Sequence, residues 1–150
     1  MDRSHVKNIL SERLENYIKE FEEDMALDES NIHDKTLSRS GIAAKWARYS
    51  YEEERYKKTI SEKIDQLKET LMQKMYEKKK DDIINQRASE MTIKIDVEKL
   101  LKKSSQYLEI RKELEAQDDI IRFIMEAKQI IGSFGYDIKN AIEVLKLENI

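Results

Sequence analysis

The chain has 150 residues and a net charge of −3, with 39% charged residues, three Gly and no Pro or Cys. The length fits one domain, 1–150, and the near absence of helix breakers predicts an all-α fold of long helices. The composition excludes disulfide frameworks and thiolate metal sites, and the absence of an apolar run or hydrophobic leader predicts a cytoplasmic protein without a membrane partner.

The first predicted element is an acidic helix over residues 4–25. Its apolar residues recur at intervals of three and four, which places them on one helical face. They are Val6, Ile9, Leu10, Leu14, Tyr17, Ile18, Phe21 and Met25. The following stretch Asp28-Glu29-Ser30-Asn31 predicts a turn, because these side chains compete for backbone groups.

The second predicted element is a long basic helix over residues 41–80. Its stripe is apolar apart from Glu53 and comprises Ile42, Trp46, Tyr49, Glu53, Tyr56, Ile60, Ile64, Leu67, Leu71 and Met75. Forty helical residues span ~60 Å, whereas a compact globule of this chain length has a radius of gyration of ~15 Å. Packing against other subunits would cover the stripe of such a helix, so we expect amphipathic helices with coiled-coil-like packing in a homo-oligomeric assembly.

Residues 81–97 form the least regular part of the sequence. The run 91–97 alternates apolar and polar residues, which predicts a short extended segment. Asp96 could then cap a short helix that begins at Val97.

The last predicted element is a C-terminal oligomerisation helix over residues 105–147, with an apolar repeat in steps of three and four. The residues expected to contact other subunits are Ile120, Ile124, Ile131, Phe134, Ile138, Ile142 and Leu145. Gly132 and Gly135 interrupt this helix, and either a kink or the close approach of a partner helix would account for them.

Catalytic chemistry has no recognisable residue pattern in this chain. His5 and His33 are 28 positions apart and lack the spacing of metal ligands. Asp118 and Asp119 diverge on a helix, and no Gly-rich phosphate loop occurs. We therefore expect neither an enzyme nor a bound metal or cofactor.

Charge is segregated along the sequence. Residues 1–30 carry four basic and nine acidic side chains, residues 35–103 carry 18 and 12, and residues 104–150 carry six and nine. The basic middle permits a DNA-contacting face, although a solvated surface of mixed charge explains it more readily.

Binding of single-stranded DNA requires cations near phosphates and aromatic faces on which bases stack. The candidate cations are Arg55, Lys57, Lys58, Lys68, Lys74, Lys78, Lys79 and Lys80. Trp46, Tyr49 and Tyr56 lie on the apolar stripe, which favours core packing over base stacking. Tyr51 and Tyr76 lie nearer its edge and are the better stacking candidates. These residues alone indicate a helical oligomer and leave nucleic-acid binding open.

Two segments resemble the UvsY-type recombination mediators of large tailed phages. The run Phe134-Gly135-Tyr136-Asp137-Ile138-Lys139-Asn140-Ala141-Ile142-Glu143 is similar to that family's C-terminal signature, an aromatic followed by Ile-Lys and a further Ile. Phe21-Glu22-Glu23-Asp24 with Leu27-Asp28 and Leu37 resembles its N-terminal pattern, and Lys45-Trp46 opens a basic helix as a similar aromatic site does there.

The resemblance covers roughly residues 21–148 and implies a non-enzymatic mediator that forms a ring-like homo-oligomer. It implies single-stranded DNA, a recombinase and a single-strand-binding protein as partners, in the host-cell cytoplasm if the chain is phage-encoded. It also implies DNA contacts toward the end of the long helix, where this chain has Lys78-Lys79-Lys80 in place of the family's paired Tyr and Gly. The alternative is a coiled-coil scaffold or adaptor without nucleic-acid binding.

Overall fold

The computed structural model describes the backbone of residues 3–80, 84 and 90–148, and the side chains of residues 9–80, 84, 90–133 and 139–148. Its elements are α1 (Arg3–Met25), α2 (Ile32–Lys78), α3 (Glu90–Lys103) and α4 (Ser105–Glu148). No strand occurs in this part of the chain. The all-α prediction is confirmed.

The predicted turn at residues 28–31 is confirmed, and α2 begins immediately after it. The Asp28 carboxylate accepts hydrogen bonds from the backbone N–H and the hydroxyl of Ser30 at 2.8 and 2.6 Å, and from the Asn31 N–H at 3.0 Å. The Asn31 side-chain oxygen accepts from the Asp28 N–H at 2.8 Å. Because this turn satisfies backbone groups at the helix start, α2 starts nine residues earlier than predicted and runs through Gly41.

The extended segment predicted at 91–97 is wrong. These residues lie in α3, whose buried residues are Ile93, Val97 and Leu101. They follow a four-residue spacing, which is the helical period, whereas Ile95 is 47% exposed. Asp96 therefore lies inside α3 rather than at its start. The remainder of the segment predicted as irregular, residues 81–83 and 85–89, lies outside the described residues.

The chain divides into two compact units, Met1–Arg55 with Ala116–Ile150 (unit 1) and Tyr56–Glu115 (unit 2). In unit 1, α1, α2 and α4 pack through an aromatic cluster around the fully buried Trp46. Its ring centroid lies 5.6 Å from Phe21, 5.3 Å from Tyr49 and 6.4 Å from Phe123. The indole N–H also donates to Asp24 at 2.8 Å, so the polar edge of the buried ring is satisfied.

Unit 2 is built on an aliphatic core. Met75 of α2 packs with Ile93 and Val97 of α3, and the partly buried Leu71 and Met72 lie against them. Ser104 separates α3 from α4, and its hydroxyl accepts from the Tyr107 N–H at 3.4 Å at the start of α4.

The predicted C-terminal stripe is buried within the chain itself over its first half. Ile120, Ile124 and Ile131 belong to the buried core of unit 1. This differs from the predicted seam between subunits, because these side chains stabilise the fold of one chain and retain almost no exposed surface. Ile142 and Leu145 are half-buried, and the side chains of Phe134 and Ile138 lie outside those described.

Candidate nucleic-acid interface

The two units carry opposite net charges. Unit 2 contains 15 basic and 12 acidic residues, a net charge of +3, whereas unit 1 contains 13 and 19, a net charge of −6. A polyanion is attracted to unit 2 and repelled by unit 1. Unit 2 is therefore the better candidate for contact with DNA.

Five of the predicted DNA-binding residues are exposed cations of unit 2. They are Lys58, Lys68, Lys74, Lys78 and Lys80. Within the described part of the chain, none of the five makes an ion pair or a side-chain hydrogen bond. Lys74 and Lys78 are one helical turn apart on α2, and Lys80 follows two residues after the end of this helix. Tyr76 is exposed, as predicted for a stacking candidate.

Lys79 differs from its neighbours because it makes an ion pair with Asp96 of α3. This hydrogen bond holds the pKa of Asp96 below its usual value. Lys79 thus links α2 to α3, and its charge is already compensated within unit 2. Lys63 also has a partner, since its ammonium lies 3.7 Å from the Glu113 carboxylate.

The remaining predicted cations are Lys57, half-buried in unit 2, and Arg55, exposed in unit 1. The Arg55 guanidinium lies 5.8 Å from the centroid of the Tyr51 ring, which is 65% exposed. This pair offers a cation beside an exposed aromatic face. Trp46, by contrast, is confirmed as a core residue.

Unit 1 contains a buried polar cluster whose hydrogen bonds the sequence did not predict, although its pattern placed Tyr17 on the apolar face of α1 and Glu53 in the apolar stripe of α2. The Glu53 carboxylate accepts hydrogen bonds from Arg13, from the Tyr17 hydroxyl at 2.9 Å and from the Gln117 amide at 2.7 Å. Gln117 also donates to the Glu53 carbonyl at 2.9 Å. These residues, which we call the Glu53 cluster, tie α1, α2 and α4 together.

Burial and the hydrogen bond to Glu53 raise the pKa of the Tyr17 hydroxyl well above its usual value. A second polar network borders the aromatic cluster: Lys45 pairs with Asp24 at 2.7 Å and Glu20 at 3.0 Å. Such networks fix the positions of the helices of unit 1 relative to one another.

Among the described residues, no group of three or more His, Asp or Glu side chains is arranged to hold a metal ion. None of the described helices combines the length and apolarity needed to cross a membrane.

Comparison with known proteins gives a family match over most of the chain. The family model described as "Recombination, repair and ssDNA binding protein UvsY" matches residues 20–149. No curated protein and no solved structure gives a match.

Proposed function

Because this chain belongs to the UvsY family of recombination, repair and single-stranded-DNA-binding proteins, we propose that it is a recombination mediator that helps to load a recombinase onto DNA covered by single-strand-binding protein. The family match over residues 20–149 carries this proposal. The family is described by DNA binding rather than by a catalytic activity, so the proposed role is non-enzymatic.

The proposed DNA contacts are the exposed lysines near the end of α2, namely Lys68, Lys74, Lys78 and Lys80. They lie in the unit of positive net charge, and each is exposed. Tyr76 supplies an exposed ring in the last turn of α2, on which a base could stack. Lys79 has a structural role instead, because its charge is paired with that of Asp96.

Assembly into a homo-oligomer, proposed to be ring-like, would pool these weak contacts. One subunit that neutralises two or three phosphates binds poorly at cellular salt, whereas several subunits on one strand can raise avidity by ~10²–10⁴. The proposed subunit contacts lie in the last turns of α4. There Val144 and Leu147 are exposed, and Ile142 and Leu145 are half-buried.

Titration with a fluorescent single-stranded oligonucleotide at several salt concentrations tests the DNA contacts. The variant replaces Lys74, Lys78 and Lys80 with Ala and leaves Lys79 in place. We expect weaker binding and a log–log salt slope that is shallower by about 2 for each subunit in contact with the strand, since each phosphate contact to a single strand contributes ~0.7. Sedimentation should give the same assembly size as the unsubstituted protein.

The matched control replaces three exposed cations of unit 1, Lys19, Arg48 and Arg122, with Ala. It should bind DNA with an affinity and salt slope close to those of the unsubstituted protein. Equal losses in the two variants would mean that total charge, rather than the end of α2, governs binding. An unchanged titration in the triple variant would remove these lysines from the interface.

The alternative, a coiled-coil scaffold or adaptor without nucleic-acid binding, is not favoured by the family description. It predicts no retention of the protein on single-stranded DNA even at low salt. The same titration therefore distinguishes the two functions.

A further inference from the structure

An open groove of about 510 Å³ lies in unit 1 between α2 and α4. Its α2 wall consists of the short side chains of Thr36, Ser40 and Ala43, spaced so that they share one face of the helix. Across from them lies Gly132 of α4, where an added Cβ would meet nothing within 4 Å. The groove exists because small residues stand on both sides.

The floor of the groove is apolar. Trp46 and Ile131 contribute to its lining, and both are buried residues of the unit 1 core. A volume of this size lies within the range of ~300–1,000 Å³ usual for binding pockets. The floor therefore suits one or two apolar side chains of a visiting segment.

Two cations border the apolar floor. Arg39 of α2 and Lys128 of α4 both line the groove and are exposed. In the part of the chain that the structure describes, neither makes an ion pair or a side-chain hydrogen bond. Lys45 of α2, by contrast, makes ion pairs with Glu20 and Asp24. The groove thus presents uncompensated positive charge within a unit whose net charge is negative.

We propose that this groove binds an acidic segment of a partner protein, with an apolar side chain on the floor and carboxylates beside Arg39 and Lys128. Apolar burial would supply affinity, and the two cations would select for acidic flanks. This site is separate from the lysines proposed to contact DNA, which lie in unit 2.

A DNA strand fits this groove less well. The net charge of −6 in unit 1 opposes a polyanion more strongly than it opposes a short peptide with a few carboxylates. Two cations also fall short of the several phosphate contacts on which single-strand binding depends.

The experiment measures binding of a library of short synthetic peptides, each with one Leu, Ile or Phe flanked by Asp or Glu, to the full chain by fluorescence anisotropy. Two variants alter the groove, one in its volume and the other in its charge. Gly132→Leu fills it, and the paired change Arg39→Glu with Lys128→Glu reverses its charge. Each should weaken the Kd of bound peptides by at least about tenfold. Peptides with Asn or Gln in place of the acidic residues should lose binding similarly.

The chain offers a matched control for each variant. Gly41→Leu makes the same replacement at another exposed helical glycine where a Cβ meets nothing within 4 Å, outside the groove. The paired change Arg48→Glu with Arg122→Glu reverses two exposed charges of unit 1 that do not line the groove. Both controls should bind the peptides as the unsubstituted protein does, and all variants should keep its circular dichroism spectrum.

Four outcomes would overturn the proposal. The first is that no peptide in the library binds, and the second is that the groove variants and the control variants bind peptides equally well. The third is that only the groove variants lose binding of single-stranded oligothymidine, and the fourth is that only these variants change their assembly size. The third outcome would assign the groove to DNA, and the fourth would assign it to a second copy of the chain. Loss of DNA binding in the triple lysine variant with peptide binding retained would leave this proposal standing.

Discussion

Replacing Glu53 with Ala should lower the free energy of unfolding by about 3–4 kcal/mol. The carboxylate is 3% exposed and accepts hydrogen bonds from three side chains. Its removal leaves the Tyr17 hydroxyl and the Gln117 amide without this acceptor, and an unsatisfied buried group costs ~1–3 kcal/mol. The lost ion pair with Arg13 adds less to the destabilisation, because the Arg13 side chain is 31% exposed and can reach water. Gln117 keeps its hydrogen bond to the Glu53 carbonyl, so the loss of its second acceptor should cost an amount near the lower end of this range.

Thermal unfolding followed by far-UV circular dichroism measures this effect. For a chain of this size, 1 kcal/mol corresponds to ~2–4 °C, so the Tm should fall by about 10 °C. All variants must be compared at one protein concentration, because subunit association makes Tm depend on concentration. Glu53→Gln keeps the shape of the side chain but removes its charge, and should fall between the unsubstituted protein and Glu53→Ala.

The adjacent Glu52 provides the control. Its side chain is 55% exposed and lies 3.8 Å from the Arg48 guanidinium, an exposed pair. Such pairs contribute ~0–1 kcal/mol, so Glu52→Ala should shift the Tm by only a few degrees. If Glu53→Ala and Glu52→Ala unfolded at the same temperature, the argument that the Glu53 cluster holds unit 1 together would be refuted.

Three further predictions concern α3, alkaline pH and the turn before α2. Thermal unfolding should show that Ile93→Ala costs about 2–5 kcal/mol while the exposed Ile95→Ala costs under about 1 kcal/mol; equal losses would favour a strand. Because burial raises the pKa of Tyr17, folding stability should fall as pH rises above ~10, and Tyr17→Phe should flatten that fall in alkaline thermal scans. The hydrogen bond from Ser30 keeps the pKa of Asp28 low, so Asp28→Ala should lower the Tm at neutral pH and lose this effect well below pH ~3.9.

Helical periodicity made most of the fold predictable. The apolar stripe of the long helix holds in the structure, where Ile42, Trp46, Ile60 and Met75 are all buried. The same period identified α1 and α4 to within one or two residues at each end. Helix-forming composition and a repeat of three and four residues are local properties, so they can be recognised in the sequence without knowledge of the tertiary contacts.

The error at 91–97 has a local cause as well. Over seven residues, apolar positions two apart fit a strand, while those four apart fit a helix equally well. Ile93 and Val97 satisfy both patterns. The decision required Leu101, four residues further on, which is buried with them, and the exposure of Met91 and Ile95, which only the folded chain reveals.

The pairing of charges could not be predicted, because it depends on which helices meet. Lys79 is adjacent in sequence to Lys78 and Lys80, yet it alone of the three reaches Asp96 of α3. Likewise, Glu53 was visible as a polar residue in an apolar stripe, but Arg13 and Gln117 lie 40 and 64 positions away in the sequence. A polar residue at a core position indicates a buried partner without identifying it.

The distribution of charge suits the role proposed for this family member. A mediator that delivers DNA to a recombinase must hold the strand and then release it, so each contact should be weak. The lysines proposed to contact DNA number four in each subunit, and unit 1 carries a net charge of −6 that limits further contact with phosphate. A strand held by weak contacts to many subunits can dissociate from them one at a time, whereas a strand held at a single tight site must lose all of its contacts at once. Increasing the positive charge of unit 1 should therefore strengthen DNA binding and slow recombinase loading. The affinity for single-stranded DNA and the rate of recombinase loading would then change in opposite directions.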